Sequence, residues 1–297
     1  MNAVRATRTD HRRIKPDFDH GRHRGTYEYL VRAEMPAVVM IDHVLQTTCT
    51  VTSGLPPLFV DSGANDGIWS LMAAQSGCTA VAIEPQLLCM RHIAAAAREN
   101  GDLPIRAHQY MLGIHDFTAS VRKDQCVGTR QFLDNGTVGD AYNIGGTDSK
   151  EACLLQEVRS ARLDDLIGAS ERVALWHVDT EGAEKLVLES APRLFAERRI
   201  ERLVLEWEPS RVTTFGISVD EASAFMARLL GEWSCRRLCS DQPADWALQV
   251  APNVPHMDVY CTGPGVSDAP LGSVASEKLA AACAKVAEAT RTKQPLF

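Results

Sequence analysis

The chain has 297 residues, of which 45% are hydrophobic and 23% charged, so it can bury a sizeable core and has an ordinary globular composition. Its net charge of −7 argues against a protein whose main task is to bind nucleic acid. No apolar run approaches the ~18 residues of a membrane span, and no signal-peptide pattern follows the basic start. We therefore expect a cytoplasmic protein of one large or two modest domains, with no membrane partner.

Residues 1–57 predict an N-terminal extension. The first 25 residues carry more Arg and Lys than Asp, which is typical of a solvated, partly disordered tail. An RNA methyltransferase could use such a tail, but the net charge and the lack of aromatic-basic stretches disfavour this reading. Residues 27–45 indicate a helix that Pro36 limits, and residues 55–57 mark an entry loop.

A glycine-rich turn after the first apolar run is the strongest local signal. The run at 58–60 leads into Asp61, and Gly63 and Gly67 bracket a tight turn before a helix at 68–75. Glycines let the backbone approach a ligand that a side chain would block. The next run, a predicted strand at 79–83, ends in Glu84, 23 residues after Asp61, where a carboxylate can take both hydroxyls of a ribose. This spacing suits one βαβ step of a nucleotide-binding sheet.

Two cofactors could use this unit. Dinucleotide-binding folds carry the motif G-x-G-x-x-G, in which backbone amides and a helix N-terminus face a pyrophosphate. Here the pattern is D-x-G-x-x-x-G, and Asp61 and Asp66 would repel a pyrophosphate. S-adenosylmethionine carries an ammonium, a sulfonium and ribose hydroxyls, which suit these acids and Glu84. A nicotinamide-dependent oxidoreductase and a non-catalytic S-adenosylmethionine-binding protein are the alternatives.

Strands and helices alternate along the rest of the chain. A long segment at 110–160 predicts an inserted hairpin with loops over the ligand cleft. Residues 218–221 match a capping box that opens a helix. The other predicted elements are a helix at 86–100, strands at 105–109, 173–178, 202–207, 233–239 and 257–262, and a C-terminal helix at 273–289.

This alternation predicts an α/β fold with a mostly parallel sheet and helices on both faces. We place the domain at 58–263, followed by a linker and helix at 264–297. In such sheets ligands bind at the carboxyl ends of the strands. The polar residues expected at those ends are Asp61, Glu84, Gln109, Asp179, Glu206 and Glu208.

A second motif, LWHVDTEGAE at 175–184, places two acids after an apolar strand. Asp179 could cap the following helix, act as a base with a raised pKa, or hold a cation together with Glu181. His177 lies on the same strand face as Asp179. It is either a histidine satisfied within the sheet or a base paired with Asp179.

The motifs VDSGANDG, AIEP, RLDDLIG, VDTEGAE and LVLEWEP occur in this order over about residues 58–210. Together they resemble the FkbM family of S-adenosylmethionine-dependent methyltransferases. The resemblance implies a Rossmann-like, seven-stranded class I methyltransferase fold. It also implies methylation of a hydroxyl group on a polyketide, a sugar or a related natural product.

The resemblance also implies roles for individual residues. Gln109 stands where the family usually has Asn near the adenine, and His177 stands where the family commonly has Lys. Glu84 resembles the ribose ligand, and Asp179 with Glu181 resembles the D-x-E-G element. The residues that resemble the family's cofactor loop are Asp61, Gly63, Asn65 and Gly67.

We expect O-methyl transfer to a small hydroxylated metabolite, with Asp179 or Glu181 as the base and His177 as a second candidate. We leave open whether Asp179 holds a divalent cation together with Glu206 or Glu208, although no specific metal motif supports such a site. The acceptor and the oligomeric state also stay open.

Nine cysteines are scattered through the chain, an odd number for a disulfide framework. Cys235 and Cys239 are spaced C-x-x-x-C, but no second ligand pair lies nearby, so we do not expect a zinc site. We interpret the cysteines as reduced, mostly buried thiols of a cytoplasmic protein.

Overall fold

The structure is a computed structural model that describes residues 35–49, 56–122, 155–207, 209–240, 243–244, 257–267 and 273–292. The predicted N-terminal tail, at residues 1–34, lies outside the described residues.

A seven-stranded sheet forms the centre of the molecule and confirms the predicted fold class. Its strands are β1 (Leu58–Ser62), β2 (Thr79–Ile83), β3 (Ile105–His108), β7 (Val173–Val178), β8 (Arg202–Trp207), β9 (Ser234–Arg237) and β10 (Met257–Thr262). They lie in the order β3-β2-β1-β7-β8-β10-β9. β10 runs antiparallel to both of its neighbours, and the other pairs are parallel.

Helices cover both faces of this sheet. Phe59 and Leu175 pack against the helices on one face of the sheet. Val60 and Trp176, whose side chains point the other way, pack against the helices on the opposite face. None of the described helices combines the length and the apolar character that crossing a membrane requires. The helices on the face of Phe59 are α1 (Met35–Thr48), α2 (Ile68–Gln75) and α3 (Leu87–Glu99), with α9 (Ser273–Thr292) against α1. The helices on the face of Val60 are α4 (Leu163–Leu166), α5 (Glu184–Glu189), α6 (Pro192–Ala196) and α8 (Val219–Leu229).

Local sequence signals explain where two helices begin. Pro36 lies in the first turn of α1, where its missing N–H leaves no helical hydrogen bond unmade. The N-cap half of the predicted capping box is present at α8, where the backbone N–H of Glu221 donates to Ser218 Oγ at 3.1 Å.

The insertion contributes a second, smaller sheet. β5 (Thr118–Arg122) pairs antiparallel with β6 (Leu155–Ala161), and the short β4 (Met111–Leu112) pairs parallel with β6. We did not predict β4, because two residues carry no periodicity. The segment at 123–154, which holds the predicted Gly/Asn-rich turns, lies outside the described residues.

Disulfides join distant parts of the chain, so the expectation of reduced thiols is wrong for these residues. Cys235 and Cys261 face each other on the antiparallel strands β9 and β10, which places their side chains within bonding reach. Two further bonds between described residues fasten the segment after α1 to the residue before β2, and α9 to the segment after β9; Cys89 is disulfide-bonded as well. The bonded pairs are Cys49–Cys78, Cys235–Cys261 and Cys239–Cys283.

Candidate active site

The carboxyl ends of β3, β2, β1 and β7 lie side by side and bring together most of the predicted site residues. The backbone N–H of Asp179 donates to Ser62 O at 3.1 Å, which holds the end of β7 against the end of β1. Glu84 follows β2 and Gln109 follows β3, the next strands in the sheet. The structure thus assembles residues that are up to 118 positions apart in the sequence at one sheet edge.

The glycine loop, residues 62–67, turns tightly between β1 and α2. Gly63, Asn65 and Gly67 have φ angles of 81°, 49° and 83°, in the left-handed region that favours glycine. A Cβ at Gly63 would lie 1.8 Å from the carbonyl oxygen of Asp179, so backbone packs directly on backbone there. A Cβ at Gly67 would lie 2.5 Å from Ile93 Cγ1, so this glycine lets α2 approach α3.

Asp61 has no exposed surface. Its Oδ2 accepts hydrogen bonds from the backbone N–H and the hydroxyl of Ser70, at 3.1 and 2.7 Å, and its Oδ1 lies 3.0 Å from His177 Nδ1. The carboxylate thus faces the protein interior, where it links β1 to α2 and β7. A direct contact between Asp61 and a cofactor stays a prediction.

His177 pairs with Asp61 and not with Asp179, as expected for the alternative of a histidine satisfied within the sheet. The parallel register sets His177 beside Asp61, and its ring also packs on Trp69 with a centroid distance of 5.2 Å. Burial lowers the pKa of His177, but the hydrogen bond and charge of Asp61, with the charges of Asp179 and Asp258, outweigh that effect. The pKa of His177 is raised above its ordinary value as a result.

Glu84 is buried behind the glycine loop. Its Oε2 accepts from Asn65 N at 3.0 Å, and its Oε1 accepts from the backbone and side-chain nitrogens of Gln86 at 2.9 and 3.1 Å. Burial raises the pKa of Glu84 to about 7. A carboxylate has about four lone-pair positions, so one acceptor position remains, on Oε2. That position suits one ribose hydroxyl, whereas we had expected both hydroxyls to bind Glu84.

Gln109 holds the turn after β2. Its side-chain amide donates to the carbonyl oxygen of Pro85 at 3.0 Å, which ties the end of β3 to the acid-proline turn. The residue lies at the strand end where the family resemblance places an adenine contact.

The two acids of the D-x-E-G element differ in their surroundings. Glu181, at φ 57°, forms an ion pair with Arg211 of the short helix α7 (Pro209–Val212), and Gly182 packs on the Arg211 backbone. Asp179 is half-buried, and its Oδ1 is buried with no hydrogen-bond partner among the described residues. Glu181 Oε2 lies against Arg211 but, like Asp179 Oδ1, has no hydrogen-bond partner among the described residues; only Asp179 is without an ion pair there as well.

Glu184 is a site residue that we missed. Its Oε1 accepts hydrogen bonds from the N–H and hydroxyl of Thr180, both at 3.2 Å, and from Gly182 N at 2.9 Å. Burial raises the pKa of Glu184 to about 7. The carboxylate shapes the turn after β7 from within. The motif VDTEGAE contains Glu184, but we did not select it, because an acid in the first turn of a helix is typically a solvent-exposed residue that stabilises the helix N-terminus.

The RLDDLIG motif is structural. Asp164 is buried and accepts hydrogen bonds from Arg193 N and Leu194 N, at 2.8 and 3.0 Å, at the start of α6. It satisfies backbone donors that the helix itself leaves unpaired.

No group of three or more His, Cys, Asp or Glu residues that could hold a metal ion occurs within the described ranges. Glu206 lies on β8 opposite Asp258, and Glu208 lies outside the described residues. A cation site built on Asp179 and these acids stays a prediction.

Several solved methyltransferase structures are similar to the chain at low sequence identity. The bifunctional kinase-methyltransferase WbdD is 14% identical with a TM-score of 0.38, over 76% of this chain and 39% of WbdD, so the chain spans about two fifths of that protein. An rRNA methylase from Streptococcus thermophilus is 13% identical with a TM-score of 0.40, over 76% of this chain and 95% of the methylase. The putative methyltransferase SMU.1697c from Streptococcus mutans, in complex with SAH, is 10% identical with a TM-score of 0.41, over 76% of this chain and 96% of its own.

No curated protein matches the chain at a significant level. The family profile described as "Methyltransferase FkbM domain" matches residues 61–235, from Asp61 in β1 to the second residue of β9. The match covers more than half of the chain and includes the glycine loop, Glu84, and both acids of the D-x-E-G element. The chain therefore belongs to the FkbM methyltransferase family.

Proposed function

We propose that this protein is an S-adenosylmethionine-dependent O-methyltransferase that acts on a hydroxyl group of a small metabolite such as a polyketide or a sugar. The observation that carries the proposal is the direct backbone contact between Gly63 and Asp179. It sets the glycine loop directly against the turn that carries Asp179, so a cofactor bound on the loop would lie near this carboxylate, whose buried Oδ1 has no hydrogen-bond partner among the described residues.

The residues at this edge suit the cofactor. The remaining acceptor position on Glu84 Oε2 can take a ribose hydroxyl, and Gln109 lies at the next strand end, toward an adenine. The carboxylates nearby favour a ligand with an ammonium and a sulfonium, because opposite charges attract strongly where water is partly excluded. S-adenosylmethionine supplies a methyl group that its sulfonium has already activated.

Asp179 is the best-placed base. The protein must align the acceptor oxygen with the methyl group and accept the hydroxyl proton as the oxygen attacks. Glu181 lies against Arg211, His177 Nδ1 pairs with Asp61, and Glu184 is almost fully buried, with Oε1 bound within its own turn and Oε2 unsatisfied. Asp179 is half-buried, and its Oδ1 has neither a hydrogen bond nor an ion pair among the described residues, so we assign it the proton.

We also propose that the insertion shapes the acceptor pocket. Its described part, together with the loop before α4, lines a cleft of about 680 Å³. Tyr110, Phe117 and Arg159 combine aromatic surface with a hydrogen-bond donor there, a combination that suits a hydroxylated ring compound.

A nicotinamide-dependent oxidoreductase is the rival function. The absence of G-x-G-x-x-G and the acids around the glycine loop disfavour a pyrophosphate there. A protein that only binds the cofactor would resemble the enzyme in every binding experiment, and turnover alone separates the two.

Replacing Glu84 tests the cofactor assignment. Calorimetry with S-adenosylhomocysteine should show one site per chain. Glu84→Ala should weaken binding by about 1–3 kcal/mol, because a charge-assisted hydrogen bond is lost and the loop amide of Asn65 loses its acceptor. The control is Glu99→Ala, since Glu99 is exposed at the end of α3. Clear NAD binding without S-adenosylhomocysteine binding would contradict the assignment.

The compartment is a further part of the proposal. We expected a cytoplasmic protein partly because we took the cysteines as reduced, and the three disulfides remove that support. Because such bonds persist mainly in oxidising environments, we propose that the protein matures in one.

Reduction should therefore destabilise the protein. The Cys49–Cys78 bond closes a sequence separation of 29 residues, for which chain entropy predicts about 3–4 kcal/mol of stabilisation. Alkylation without prior reduction, followed by peptide mass spectrometry, should leave these six cysteines unmodified, and a reductant should lower the Tm. Full alkylation of the freshly purified native protein would show that the thiols are free and would contradict the proposed compartment.

A further inference from the structure

A buried carboxylate–imidazole pair lies beneath the glycine loop. β1 and β7 run parallel with Asp61 beside His177, and Oδ1 lies 3.0 Å from Nδ1. The other carboxylate oxygen accepts both the N–H and the hydroxyl of Ser70, in the first turn of α2. The pair thus joins β7 to β1 and to the helix that follows the loop. The mechanism above uses neither side chain for chemistry.

His177 is the only cationic side chain paired with Asp61 in the part of the chain that the structure describes. Acids face His177 from three elements: Asp61 of β1, Asp179 after β7 and Asp258 of β10. α2 contributes the ring of Trp69 and the hydroxyl of Ser70 to this environment, both uncharged. A fully buried carboxylate left without a cation strongly destabilises its surroundings. The combined negative charge keeps the pKa of His177 raised despite its burial.

We propose that His177 is a positioning residue whose imidazolium fixes Asp61 and, through Asp61 and Ser70, holds the glycine loop in the shape that binds the cofactor. The identity of that cofactor rests on the proposed function. The charged form of His177 supports the loop, so its contribution is complete at low pH and is lost as the pH rises through the pKa of His177. Cofactor affinity should follow the same direction.

Binding measured against pH tests this role. Calorimetry with S-adenosylhomocysteine would run from about pH 6 to about pH 9, a range that extends above the ordinary histidine pKa. Glu84 has a pKa of about 7 and also ionises in this range, so the effect of His177 is the difference between the wild type and His177→Gln at each pH. The affinity advantage of the wild type over His177→Gln should fall about tenfold toward the upper end, as expected for the loss of one charge-assisted hydrogen bond. His177→Gln should bind weakly throughout. His177→Lys keeps a cation over this range, so its affinity should not decline with pH.

Hydrogen exchange gives a readout that needs no ligand. The amide of Ser70 donates to Asp61, so its protection factor should fall with pH in the wild type but not in His177→Lys. An affinity difference between the wild type and His177→Gln that is constant with pH, together with constant Ser70 protection in the wild type, would overturn the proposal, and so would a His177→Lys variant whose Ser70 protection falls with pH as in the wild type. If S-adenosylhomocysteine does not bind at any pH but the Ser70 amide behaves as expected, the proposed cofactor is wrong and the positioning role stands.

Discussion

Asp179→Asn should lower the rate of methyl transfer by about 10²–10⁴-fold, the usual loss when a general base is removed. Asparagine has nearly the same shape, and Asp179 Oδ1 has no hydrogen-bond partner to lose among the described residues. Fold and cofactor affinity should therefore change little. The measurement is S-adenosylhomocysteine formation with a hydroxylated acceptor that supports turnover, together with a thermal melt and calorimetry of the variant.

Two outcomes would reassign the base. Glu181→Gln is the matched comparison, because its ion pair with Arg211 gives it a structural role on the same turn. If Glu181→Gln loses the rate and Asp179→Asn keeps it, Glu181 is the base and Asp179 is a helix cap. If a chelator abolishes wild-type activity, Asp179 is better explained as a ligand of a divalent cation.

Gly63→Ala should disrupt both folding and cofactor binding. The new Cβ would lie 1.8 Å from the carbonyl oxygen of Asp179, which is backbone and cannot rotate away. The left-handed φ of 81° adds about 1–3 kcal/mol of strain, and overpacking adds roughly 1–3 kcal/mol more. Urea denaturation should show a loss of about this combined size, and S-adenosylhomocysteine affinity should fall because the glycine loop moves away from β7.

Gly101→Ala is the matched control for this change. Gly101 also has a left-handed φ, of 90°, but a Cβ there would meet nothing within 4 Å. Gly101→Ala should lose only the stability that the strained left-handed backbone costs, and its cofactor affinity should be unchanged. Equal losses in the two variants would show that the contact between the glycine loop and β7 adds nothing to stability.

Most of the fold could be predicted because hydrophobic runs and turn residues are local signals. The strands at 79–83, 173–178, 202–207 and 257–262 have the predicted bounds, since each is a buried run with clear breaks. The helix predicted at 86–100 spans Leu87–Glu99 and ends before Gly101. β4 could not be predicted, because two residues owe their strand geometry to pairing with β6, far along the chain.

The site could be predicted as a set of positions but not as a set of contacts. Strand ends brought Asp61, Glu84 and Asp179 to one edge, as parallel topology requires. Which partner each acid takes depends on register and burial. Alternation placed His177 and Asp179 on one face, but the β1–β7 register set His177 beside Asp61. Glu184 turns inward because the turn after β7 leaves three donors for it.

The cysteine pairs could not be predicted from local sequence patterns either, because they form between elements that are far apart in the chain. Sequence spacing relates neighbours on one element, whereas Cys235 and Cys261 meet across the antiparallel strands β9 and β10. Cys239 and Cys283 meet only because α9 returns to the core. An odd number of cysteines does not exclude disulfides, since one thiol can stay unpaired.

Transfer of the labelled methyl group is the most direct test of the account. The wild-type protein would be incubated with methyl-labelled S-adenosylmethionine and a panel of hydroxylated polyketides and sugars, with Asp179→Asn as the matched control. We predict a product that carries the label on a hydroxyl oxygen, formed together with S-adenosylhomocysteine, and little product with the variant. Label on nitrogen or carbon, or tight cofactor binding without any transfer across the panel, would contradict O-methyl transfer to a small hydroxylated metabolite.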